Sequence, residues 1–280
     1  MFRATEGSLP KVAFVVLTWN SERYVTRCLA SVLALDCCDQ SVSVVDNGSS
    51  DRTVAMIEAL NDSRVRVYRQ GENLGTTKSR NIALRDLGDD IEYVCVLDSD
   101  TEVNDEAIAA LLLALKEHDA VGLAGPRMRD ASGALQLSGR NLPSLGIKLL
   151  KAFPISTIHD RGARMEVPAS GVEDGLQRVG YLLSACWMMH RRILDEVGLL
   201  DERIFYAPED VDYCIRVQRA GYDCVVCHDA EIVHDYQRLS KKKLLSKMNY
   251  EHLKGLAYFF RKHRYLFDSD KALNGKRTTA

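Results

Sequence analysis

The sequence predicts an α/β fold: a mostly parallel central sheet flanked by helices. Two observations predict it. Short β-branched apolar runs alternate with segments of helical spacing from Lys11 to about Ala124, the signature of βαβ units. Polar clusters follow three of those runs, at Thr18–Asn20, Asp46–Asp51 and Asp98–Asp100, where open α/β sheets bind ligands. The composition suits this class. The chain has 280 residues, 46% hydrophobic and 27% charged, so one large or two small domains can bury a core without a disulfide scaffold.

The elements follow in order. Lys11–Thr18 (KVAFVVLT) reads as a buried strand. Ser21–Leu35 places Tyr24, Val25, Cys28, Leu29, Val32 and Leu33 at helical spacing, with Ser21 as the expected N-cap. Ser41–Val45 is a second strand, and a turn-rich DNGSSD loop leads to a helix from Thr53 to Leu60. Val65–Tyr68 is a third strand, followed by a helix over Thr76–Arg85. Tyr93–Leu97 is a fourth, Glu106–Lys116 an amphipathic helix, and Ala120–Ala124 a fifth strand. Arg127–Gly180 is rich in Gly, Pro and Ser and reads as an irregular region over the rim. Beyond it come the apolar Tyr181–His190, a short helix Arg191–Val197, a helix ending near Ala220, and strands Tyr222–Val226 and Ala230–His234.

The charge is uneven. From Arg238 onward there are 12 Lys and Arg against 3 Asp and Glu, a local +9, while residues 1–237 carry −11. An acidic body with a basic tail fits an anionic or membrane surface better than nucleic acid. In Leu239–Phe267, Leu245, Met248, Leu253, Leu256, Ala257 and Phe260 share one helix face, with Lys243, Lys247, Lys254 and Arg261 opposite. Such a helix either packs on the domain or lies on an anionic membrane. No run approaches the roughly 18 apolar residues of a membrane span. MFRATEGSLPK lacks an apolar signal core, so a cytoplasmic location is expected.

Eight cysteines are expected to be reduced and buried. Cys224-Val-Val-Cys227-His228 matches a haem c attachment pattern. It lies in a strand, however, where residues 224 and 227 point to opposite faces, and neither haem nor zinc is expected there.

The chemistry concentrates in acidic clusters. Asp98-Ser99-Asp100 ends an apolar strand and suits either a divalent cation or a solvated turn. Glu209-Asp210-x-Asp212 is either an acidic first helical turn or a carboxylate base, with Asp212 and Arg216 spaced to pair. His234 is a structural histidine or a ligand compatible with Mn²⁺. Asn73–Gly75 and the helix opening TTKSRN, with Lys78 and Arg80, suit a diphosphate. Neither a P-loop nor a GxGxxG pattern is present, which disfavours an ordinary NTPase or dehydrogenase.

The ordered set VVLTWNSERYVTRCLASV, VSVVDNGSSDRTV, ENLGTTKSRNIAL, VLDSDTEV, VGLAGPRMRDASGALQLSGR, EVGLLDERIFYAPEDVDYCIRVQRAGY and AEIVH resembles family 2 glycosyltransferases with the GT-A fold, and rhamnosyltransferases in particular. The resemblance spans 11–236. It implies a catalytic domain over 1–236, with a nucleotide-binding part at 11–125, an acceptor part at 126–236, and a basic extension at 237–280. By resemblance, Thr18, Asn20 and Glu22 line the nucleotide entry, and Asp46 accepts from a pyrimidine N–H. Gly75, Lys78 and Arg80 border the donor phosphates. Asp98 contacts the ribose or metal region, and Asp100 with His234 holds Mn²⁺ or Mg²⁺. Asp210 is the base and Glu209 supports it. Ser184-Ala185-Cys186 replaces a segment that usually contains glycine. The implied activity is inverting transfer from dTDP-rhamnose or a UDP-hexose to a glycan or lipid-linked acceptor, in bacterial cell-surface polysaccharide synthesis. The extension, 238–264, would meet the membrane. A sugar nucleotidyltransferase would carry a Gly-rich basic loop where Thr18–Glu22 stands. A non-catalytic nucleotide-sugar binder would not need both acidic clusters.

Overall fold

A computed structural model describes residues 8–152, 155–235 and 247–273. Its central sheet runs, in space, Val65–Arg69, Asp39–Asp46, Lys11–Thr18, Tyr93–Asp98, Cys186–His190, Val121–Arg129, Asp223–His234, Leu176–Arg178, Val172–Glu173. The first four strands are mutually parallel. Their helices, Val25–Leu33, Thr53–Ala59 and Thr76–Leu84, lie within a residue or so of expectation except at the first start. Apolar residues fill both faces of the sheet. Phe14, Val16, Cys95 and Ile108 sit in one core cluster, and Val15, Val94, Trp187 and Ile215 in the other.

Four differences from the sequence reading bear on the site. Cys186–His190 inserts antiparallel between Tyr93–Asp98 and Val121–Arg129, which local periodicity does not encode. The expected separate strands near residues 222–234 form one strand, Asp223–His234, with a register shift between Cys227 and Glu231. That irregularity absorbs the break in the apolar pattern. Arg127–Gly180 carries two helices, Leu145–Ala152 and Ser156–Met165, rather than only irregular chain. Ser21 does not cap its helix, which begins at Val25 without a side-chain cap. Instead the Ser21 amide donates to Thr53 Oγ1 (2.7 Å) and its carbonyl accepts from Tyr24 and Val25.

The cysteines are free, and all but Cys37 are buried. Cys224 packs in one cluster and Cys227 in the other, so the strand separates them as expected.

The C-terminal helix Lys247–His263 packs on the body through Gly255, Phe259, Phe260 and His263. The expected apolar face is only partly turned inward: Leu256 and Phe260 pack against the core, while Leu253 is 66% exposed and Ala257 is also exposed. Hydrophobic spacing cannot register that a glycine and a histidine face inward. Here Asp212 of the Glu209–Arg219 helix accepts from His263 Nε2 (2.8 Å) and pairs with Lys262 Nζ (2.5 Å) and Arg216 Nε (3.1 Å). Lys254 and Arg261 are exposed, as expected. Leu245 and Lys243, and the side chains of Lys247 and Met248, lie outside the described residues. Among the described residues no helix is long and apolar enough to cross a membrane.

Candidate functional site

Parallel register brings the three polar clusters to one rim. Thr18 lies opposite Asp46, and Leu17 opposite Asp98. A cleft of about 350 Å³ opens there, lined among others by Trp19, Asn47, Gly75, Arg80, Asp98, Asp100, Glu209, Asp210 and His234.

Asp98, Asp100 and His234 each offer a ligand atom, all within 4.8 Å of one another. They come from three places: the end of a strand, the turn after it, and the far end of Asp223–His234. Thr101–Glu102 pairs with Val233–His234 and holds these segments together. Two carboxylates and an imidazole suit Mn²⁺ or Mg²⁺, so the donor set fits the implied cation. Burial opposes charge on His234, but the Asp100 hydrogen bond and the surrounding carboxylates prevail and raise its pKa above 6.5. Burial raises Asp98, with Arg80 working against it.

Arg80 connects the two acidic clusters. It is 1% exposed. One guanidinium nitrogen donates to Asp98 Oδ1 (2.5 Å) and to the Ser184 carbonyl (3.1 Å), and the other lies 3.5 Å from Glu209 Oε1. Glu209 also accepts from Ser184 Oγ (3.0 Å). Burial, then the neighbouring Asp210, pushes Glu209 up to about 8 despite Arg80. Asp210 is raised as well, chiefly by burial, although the Val211 amide, Lys148, Arg140 and Arg80 favour its charged form. A carboxylate with a raised pKa is suited to taking a proton near neutrality.

The segment before Glu209 is held from two sides. Gly75 has φ +84°, and a Cβ there would run into the Phe205 carbonyl. Thr76 N–H donates to that carbonyl (2.7 Å), and Thr76 Oγ1 to the Tyr206 carbonyl (2.9 Å). Gly255 of the C-terminal helix lies equally close to the Ala207 carbonyl. The Thr76 N–H at the start of the Thr76–Leu84 helix is therefore satisfied by chain from 129 residues later. Lys78 is exposed and outside the cleft lining.

The remaining expected residues sit around the rim. Thr18 and Asp46 are buried. Asp46 Oδ2 accepts from the Ser49 amide (3.1 Å), while Asp46 Oδ1 and Thr18 Oγ1 have no hydrogen-bond partner among the described residues. Asn20, at φ 51°, accepts from the Ser50 amide (2.8 Å), and Glu22 from Arg52 Nε (3.2 Å). These two tie neighbouring loops rather than line the cleft. The sequence reading missed Gln136, Ser184 and Phe205 as site-building residues. Only Ser184 carried a signal, as the departure from a glycine-containing segment.

The Glycosyl transferase family 2 profile matches residues 13–198. An N-acetylglucosaminyl-diphospho-decaprenol L-rhamnosyltransferase of Mycobacterium tuberculosis is 32% identical over 234 residues, 79% of this chain and 74% of that protein. A dTDP-rhamnosyl transferase of Shigella flexneri is 24% identical over 222 residues, 79% of this chain and 67% of that one. Among solved structures, GalNAc-T7 with UDP, GalNAc and Mn²⁺ superposes with a TM-score of 0.66 at 16% identity, over 92% of this chain and 48% of that protein. A mannosyltransferase of Pyrobaculum calidifontis with GDP-Man and Mn²⁺ superposes at 0.59 and 17% identity, over 90% and 65%. The likeness to solved structures establishes the GT-A architecture.

Proposed function

The chain belongs to glycosyl transferase family 2, and from that membership we propose that it is an inverting, divalent-metal-dependent glycosyltransferase. One observation carries the reading: Asp98, Asp100 and His234 share a single cleft with the half-buried carboxylate Asp210. A nucleotide-sugar diphosphate needs the first group, and a hydroxyl acceptor needs the second.

Asp98, Asp100 and His234 would hold Mn²⁺ or Mg²⁺, which when bound offsets the charge of the departing nucleoside diphosphate. Asp46 Oδ1, a buried acceptor without a partner among the described residues, would receive the base ring N–H. Asp210 takes the proton of the acceptor hydroxyl. The acceptor oxygen forms a bond to the anomeric carbon as the bond to the diphosphate breaks on the opposite face. One displacement inverts that centre. Arg80 and Ser184 keep Glu209 beside Asp210, positioning the helix start.

The donor is dTDP-rhamnose, with a UDP-hexose as the second choice; two relatives named as rhamnosyltransferases support that order. The acceptor is a glycan hydroxyl or a lipid-linked sugar of bacterial cell-surface polysaccharide synthesis, reached at the cytoplasmic face of the membrane with contact through 238–264. A donor screen with Mn²⁺ that measures nucleoside diphosphate release tests the reading. Asp100→Ala should abolish the metal-dependent signal. Failure of every nucleotide sugar to react or to raise the melting temperature would overturn it.

A further inference from the structure

Beside Asp210, away from the Asp98–Asp100–His234 group, lies a set of charges that the transfer reaction does not use. Glu166, 3% exposed, follows the Ser156–Met165 helix. Its Oε2 accepts from Arg140 (2.9 Å) and from Lys151 Nζ (2.6 Å), while its buried Oε1 has no hydrogen-bond partner among the described residues. Lys148 stands one turn before Lys151 on the Leu145–Ala152 helix. Lys148 is half-buried, and its ammonium makes no hydrogen bond or ion pair among the described residues. His252, on the C-terminal helix, feels the Lys148 charge, and its buried Nδ1 has no hydrogen-bond partner among the described residues.

Three cations thus face one carboxylate, and the surplus falls on Lys148. A buried ammonium without a counter-charge is unfavourable, and burial accordingly lowers the Lys148 pKa. The charges that act most on Lys148 are Glu166, Lys151, Asp210 and Arg140, whereas those on Asp98 are Arg80, Asp100 and His234. Lys148 and Arg140 from one group and Arg80 from the other all favour the charged form of Asp210, where the two groups meet. Asp210 cannot serve as the lasting counter-ion of Lys148, because it must accept the acceptor proton.

We propose that Lys148, with Arg140 and His252, forms an anion subsite for a phosphoryl group carried by the acceptor, on the far side of Asp210 from the donor. The subsite rests on the reading of Asp210 as the base. It narrows the acceptor to a phosphorylated one, a phosphate or diphosphate ester whose sugar hydroxyl then lies at Asp210. Arg140 supplies a directional donor, Lys148 a compact charge, and His252 Nδ1 a hydrogen bond.

Inorganic pyrophosphate is the probe, titrated calorimetrically into the metal-free full chain in EDTA, with and without saturating UDP. Wild type and Asp210→Asn should bind it, and nucleoside diphosphate should leave that binding intact. Lys148→Met should weaken it about tenfold or more. The unliganded variant should melt no lower than wild type, since an unpaired cation has been removed. Equal binding by Lys148→Met and wild type would overturn the subsite. Competition between pyrophosphate and UDP would also overturn it, assigning the cations to the donor. If pyrophosphate binds as described but no nucleotide sugar reacts, the transferase reading fails and the anion site stands.

Discussion

Gln136 and His234 are joined by two hydrogen bonds of opposite sense. Gln136 Nε2 donates to the His234 carbonyl (2.8 Å), and Gln136 Oε1 faces His234 Nδ1 at 2.9 Å. A carbonyl can only accept, so the amide nitrogen must lie on that side and the amide oxygen on the ring. His234 Nδ1 then carries a proton, and Nε2, 3.5 Å from Asp100 Oδ1, is the nitrogen that hydrogen-bonds Asp100 when protonated and is free to ligate a metal when it is not. This is the tautomer a metal-ligating histidine requires.

Gln136→Leu should weaken Mn²⁺ binding by about ten- to a hundredfold, the usual cost of losing a ligand-orienting partner. Calorimetric titration of Mn²⁺ into both proteins checks it. Unchanged affinity would mean that the ring is held without Gln136.

Asp210→Asn should keep nucleotide-sugar binding and lose about 10²- to 10⁴-fold in transfer, the range of a general base. Donor affinity by thermal shift and turnover by nucleoside diphosphate release separate the two effects. Near-normal turnover would remove Asp210 from its role.

Glu209 makes stability depend on pH. Its folded pKa, about 8, lies above the ordinary 4.5. The folded state therefore holds a proton that the unfolded chain releases as pH rises between those values. The stabilisation is complete below about 4.5 and is lost as pH rises through about 8, on the order of a few kcal/mol. Glu209→Gln should flatten this decline. Urea midpoints at about pH 5 and about pH 8.5 test it, and parallel declines in both proteins would refute it.

Gly255→Val should place side-chain atoms where the Ala207 carbonyl sits, costing about 1–3 kcal/mol by overpacking. The melting temperature should fall, and turnover should fall further than stability alone explains, because Pro208 and Glu209 move with Ala207. A variant that melts and turns over like wild type would show that the helix does not set this segment.

Much of the fold was legible because its information is local. Alternating β-branched runs and amphipathic stretches mark the parallel strands and their helices through Arg129. Asp98 and Asp100 were legible as a strand-end pair, and their union with His234 followed from the family resemblance. Gln136 was not, since it belongs to a two-residue strand with no periodicity of its own. Neither was the inward-facing His263 of the C-terminal helix, whose partner is the buried Asp212.

By itself, then, the sequence determined which segments become strands and helices, and that their polar ends are acidic. Only the tertiary structure decided which ends meet. It inserted Cys186–His190 antiparallel into the sheet, closed Phe205 onto Gly75 and Thr76, and placed Arg80 between Asp98 and Glu209. The physical reason is range. Backbone preference and apolar period act over a few residues. The partners of the buried Arg80 guanidinium and of Thr76 lie from 18 to 130 residues away and are chosen by packing.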